Sequence, residues 1–195
     1  MTGDDSIRDD IAFIRQAIEQ GRGYAGRHSL DLLIWGVALA IGYVGTYATV
    51  SGWWRINPDW LWAACIVLPW LYSLRLFRSQ SRPPRLPMTQ ALQMLWVGCG
   101  IFLSTFSVAV VLAGDMQQGW FSAVGAGTLG IAFFVSSYLC NLPWLRAVAA
   151  GWWVGMLLLY AFRHRIEVLP LSAVLMLLLL AMPGFLLWRG RPAAP

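Results

Sequence analysis

Between residues 30 and 188 the chain passes through six long apolar runs, and this feature restricts its fold more than any other. A helix needs about 20 mostly apolar residues to cross the hydrocarbon core. In lipid, each backbone amide must find its partner inside a helix or a closed barrel. The runs do not alternate polar with apolar residues, as barrel strands do. They predict an all-α integral membrane bundle of six transmembrane helices, at about 30–50, 60–76, 89–112, 120–139, 147–162 and 168–188. Ahead of them, residues 1–29 read as a short amphipathic cytosolic helix with its linker, and residues 189–195 as a cytosolic tail. Composition agrees: 58% of the 195 residues are hydrophobic and 12% charged, against roughly 25% charged in a soluble domain. The charged opening and the long first run exclude a cleavable signal peptide.

A net charge of +5 could suggest nucleic acid, but the charges gather at the ends of the apolar runs. That is the signature of topology, not of a basic groove. All fourteen basic residues are arginine, which reflects genomic composition bias rather than function. With the N-terminus inside, eleven arginines fall on cytoplasmic segments, and only Arg55, Arg163 and Arg165 fall outside. The positive-inside rule then puts both termini in the cytoplasm.

The N-terminal segment carries Ile7, Ile11, Ile14 and Ile18 at helical spacing, so they share one face. Between Asp4 and Glu19 stand five acids and two arginines, a net −3. Helices that lie on anionic lipid are basic on their polar face, so this one is expected to dock on protein. Another copy, a partner, or the inner ends of its own spans would each serve.

Ionisable residues at mid-depth are the best sequence pointer to transport or catalysis, because each costs about 2.5–3.5 kcal/mol to insert. The spans hold none: Asp31 lies at an inner edge, Asp115 and Glu167 at outer edges. A proton relay and a voltage sensor are therefore not expected. His28 and His164 fall on opposite sides, and Cys65, Cys99 and Cys140 have no paired spacing, so neither metal nor cofactor is expected. No nucleophile, base or metal cluster stands out, which disfavours an enzyme. Gly125, Gly127 and Gly130 match G-x-G-x-x-G, but inside the fourth span, where no strand precedes them. Small residues there serve close helix packing.

Two other patterns bear on function. Ser104, Thr105 and Ser107 in the third span face the question of pairing with Thr128, Ser136 and Ser137 in the fourth. Such a seam would be either a pocket for a small neutral ligand or glue between helices. Arg163-His164-Arg165 with Glu167 is either an anion grip or a solvated loop. The twelve tryptophans lie mostly at span ends and read as interfacial anchors. Leu68-Pro69-Trp70-Leu71 recurs as Leu142-Pro143-Trp144-Leu145, with Pro183 in the comparable place of the sixth span, which raises three related helical hairpins as an option.

The run Ile11-Ala-Phe-Ile14-Arg15, then Ile18-Glu19, Tyr24 and Leu33-Ile-Trp35-Gly36, resembles a class of small bacterial multi-pass membrane proteins that begin with a cytosolic helix. The likeness implies an inner-membrane location and no particular activity. The six-span layout is also similar to the substrate-capture subunits of energy-coupling-factor transporters, whose small residues spaced by four are matched here by Gly36/Ala40 and Ala38/Gly42. Two functions follow as expectations: a non-enzymatic scaffold or regulatory subunit working through the N-terminal helix, or a small-molecule-binding transporter subunit using the seam.

Overall fold

The computed structural model describes residues 29–79, 87–114 and 118–189, and every regular element among them is helical. The N-terminal segment with Ile7, Ile11, Ile14 and Ile18, together with Asp115 and His28, lies outside the described residues.

Helix α1 spans Ser29–Val50. Asp31 in its first turn complements the positive end of the helix dipole. It stops where Gly52 takes φ +77°, while the Gly52 and Trp53 amides donate back to Thr49 and Ala48. This is a Schellman arrangement, in which a left-handed glycine satisfies the last carbonyls. Helix α2, Pro58–Ser79, begins with Asn57 Oδ1 accepting the Asp59 amide at 2.8 Å. Asn57-Pro58 is thus a helix start, with the cap followed by proline at the first position, where no amide is needed. Helix α3, Pro87–Ala113, ends at Gly114 with φ +68°. Helix α4, Gln118–Leu139, closes on Asn141 at φ 49°, the Asn141 and Leu142 amides reaching Tyr138 and Ser137. Helix α5 is Leu145–Ala161. The last rod is α6, Val168–Met176, a π-helical turn at Leu177–Ala181, and α7, Met182–Arg189.

Four of these are long and apolar enough to cross a membrane: Ser29–Val50, Met88–Ala113, Trp120–Leu139 and Val168–Arg189. Helix α5 is apolar but has 17 residues. Helix α2 has 22, with Asp59, Arg75 and Arg78 near its ends.

The packing order differs from the chain order. Helix α4 lies most extensively against α5, and α1 runs along α6, the π turn and α7. Helix α2 leans on α1, and α3 on α4, so both stand at the margins. Glycines set the close approaches. A Cβ on Gly36 would lie 2.5 Å from the Ala181 amide nitrogen, and one on Gly184 would lie 2.7 Å from the Ser29 carbonyl oxygen. Gly127 meets Met156, Gly130 meets Trp153, and Gly155 meets Leu175. Gly127 and Gly130 of the α4 pattern therefore pack on α5, while a Cβ at Gly125 would meet nothing within 4 Å. The three prolines of the suspected repeat take different places. Pro69 is inside α2, Pro183 inside α7, and Pro143 in the turn between α4 and α5.

The π turn has an identifiable cause. Pro183 offers no amide, so the carbonyl four residues back, on Leu179, loses its helical donor. The indole N–H of Trp152 on α5 donates to that carbonyl at 3.0 Å, and Trp152 is 0% exposed.

Candidate functional site

The six hydroxyls of the expected seam form no hydrogen bond with one another. Ser104 and Thr105 are on the exposed side of α3. Ser107 donates to the Leu103 carbonyl, Thr128 to Val124 and Ser137 to Phe134, each within its own helix. Only Ser136 bridges the two helices, accepting the Trp96 indole N–H at 3.2 Å while Trp96 packs edge-on against Phe133.

The most connected polar group lies elsewhere, where the C-terminal half of α1 meets the first turns of α2, α4 and α6. The Tyr43 phenol and the Ser122 hydroxyl are 2.9 Å apart. Ser172 lies within hydrogen-bonding reach of the same phenol and donates to the Val168 carbonyl. Trp62 sets its ring edge-on to Tyr43, at 5.1 Å between centroids, and donates to Thr46 Oγ1 at 2.9 Å. Thr46 in turn donates a hydrogen bond to the Gly42 carbonyl. Tyr43, Thr46, Ser122 and Ser172 are all buried. One junction thus ties four helices, and its donors and acceptors are matched among themselves.

At the Ser29 end of α1 a second group forms. Ser73 on α2 donates to Asp31 Oδ1 at 2.5 Å, and the Trp35 indole N–H donates to Ser73 Oγ at 3.1 Å. Trp70 stands edge-on to Trp35. An O–H···O⁻ contact this short is a charge-assisted bond.

Several tryptophans that read as belt residues are thereby interior donors. Trp53 and Trp60 are 77% exposed, as anchors should be. Trp35, Trp62 and Trp96 instead bond hydroxyls on neighbouring helices. Their positions gave no warning of this, since a tryptophan near a span end suits either use. The junction serines were also missed; Ser122 and Ser172 stand early in their spans, where polar residues are unremarked.

In the turn between α5 and α6, Arg163 rests on the Tyr160 ring and donates to the Tyr160 carbonyl, while Arg165 lies over Phe162. Both cations are held by their own segment rather than converging with His164. Among the described residues no three of His, Cys, Asp and Glu gather as metal ligands. Comparison with protein-family models, with curated proteins and with solved structures finds no match to the chain.

Proposed function

We propose that the chain is a non-enzymatic scaffold or regulatory subunit of the bacterial inner membrane, acting through its acidic N-terminal segment. The observation that carries this reading is how the bundle uses its polar groups. Tyr43 bonds Ser122, Trp62 bonds Thr46, and Trp96 bonds Ser136. Ser107, Thr128 and Ser137, which a ligand in the seam would need, are engaged by backbone. Polar chemistry spent on joining helices supports a rigid platform. The isoleucine face of Ile7, Ile11, Ile14 and Ile18 is then the part left to meet another protein.

The platform crosses six times in this reading, with both termini cytoplasmic. At 1.5 Å per residue, a helix of the length of α5 spans about 26 Å, enough where the bilayer thins slightly. Helix α2 carries no charge between Trp60 and Leu74, and its arginines at one end suit the cytoplasmic interface. Cysteine placed at Gln80 should resist a membrane-impermeant maleimide in intact cells, and cysteine at His164 should react. Equal labelling would sink the topology.

Co-purification from native membranes tests the function. A protein partner retained by the full chain and lost on deleting residues 2–20 is the expected result. A bound small molecule or an energising membrane partner, unaffected by that deletion, would replace this reading with the transporter-subunit one.

A further inference from the structure

Helix α2 is fastened to α1 unequally at its two ends, and a proline separates them. Near its start, a Leu61 methyl fills the notch above Gly45, and the Trp62 ring covers Gly42 at 3.1 Å from where a Cβ would be. Trp62 adds its bond to Thr46 and its edge contact with Tyr43. This end is packed into the backbone of α1. Near its finish there is no such notch contact among the described residues. The contacts described there are the Ser73 hydroxyl, bridging Asp31 and Trp35, and the Trp70 ring, which meets Trp35 by its edge with centroids 6.4 Å apart. Between the ends, Pro69 removes one rung, leaving the Cys65 carbonyl without its helical donor. Prolines are where helices bend. Among the described residues, no helix other than α1 packs extensively on α2.

We propose that α2 is a hinged element: it is pinned to α1 at Leu61 and Trp62, it bends at Pro69, and it is latched at its far end by the Trp35–Ser73–Asp31 chain of hydrogen bonds. Released, residues 70–79 swing away from α1 and uncover Asp31 and Trp35. Residues 1–28 lead directly into Ser29, so the latch stands where the N-terminal segment joins the bundle. Both bonds of the latch run through the single Ser73 hydroxyl, so losing that one group undoes them together. The tight notch at Gly45 keeps the other end in place.

Pulsed electron–electron distance measurements in nanodiscs test this on the full chain. One spin-label pair replaces the exposed Val37 and Leu74, across the latch; a second replaces Val44 and Ile66, across the pin. Ser73→Ala should move the first distribution to longer, broader distances and leave the second as in the unsubstituted chain. Adding Pro69→Ala to Ser73→Ala should narrow the first again, because the missing rung is restored. An unchanged first distribution in Ser73→Ala would overturn the latch. Equal broadening of both pairs would overturn the pin, and failure of Pro69→Ala to narrow the first would overturn the hinge.

Discussion

A carbonyl stripped of its helical donor is costly in hydrocarbon, and Trp152 relieves that cost at Leu179. Trp152→Phe keeps the ring and removes the N–H, so about 1–3 kcal/mol of stability should be lost. Tyr43→Phe breaks a bond between side chains instead, where about 0.6 kcal/mol is typical and roughly 1.7 the upper range. Unfolding in mixed micelles by titrated denaturing detergent would rank them, and the reverse order would contradict the account of Pro183. Proline in the sixth run was plain in the sequence; which indole served its orphaned carbonyl was not, because that depends on how α5 and α6 are set against each other. Cys140, 1% exposed in the turn after α4, adds a pH effect. Burial pushes its thiol from the ordinary 9.0 up to about 11. The folded chain therefore holds that proton more tightly than the unfolded one. The resulting stability is complete below pH 9.0 and is lost as the pH rises through about 11. Cys140→Ala should remove that part of an alkaline decline in the unfolding midpoint; an identical decline would refute it.

At the scale of the element, the glycines divide into those that a neighbour covers and those that face open space. A methyl on Gly36 would strike the backbone of Ala181, which has no flexible end to move aside, whereas nothing lies within 4 Å of a Cβ at Gly98. Gly36→Ala should therefore cost about 1–3 kcal/mol through forced separation of α1 from the last rod. Gly98→Ala should be neutral, or stabilise by up to about 1 kcal/mol through helix propensity. Equal effects in the same unfolding assay would mean that α1 and the last rod are not in backbone contact. The extents of the helices were legible, their ends falling within three residues of the boundaries of the apolar runs. Apolar length and punctuation by Gly52, Asn57-Pro58 and Gly114 decide them locally. The π turn was not legible, nor was the inequivalence of Pro69, Pro143 and Pro183. The recurring Leu-Pro-Trp-Leu falls mid-helix in α2 and in the turn before α5, so the surrounding backbone decides whether proline ends a helix or sits inside one.

For the whole molecule, the pairing of helices was the least legible property. Apolar runs of similar character carry no address. The structure sets α1 against the last rod and gathers Tyr43, Ser122 and Ser172 from three separated helices. If α1 and the last rod belong together, residues 1–161 and 162–195 expressed as two fragments should co-purify. Gly36→Leu in the larger fragment should abolish that recovery, and indifference to it would argue against the contact.

The meeting of Gly36 with Ala181 also bears on how the protein is made. The first helix enters the membrane while its mate is still 145 codons from the ribosome's exit. At about 5–20 residues per second, that is on the order of ten seconds. During this interval the face of α1 around Gly36 lacks the backbone that Ala181 later brings against it. Premature termination anywhere before the final hairpin would leave that surface permanently open, a mark by which quality-control proteases could tell an unfinished copy from a complete one.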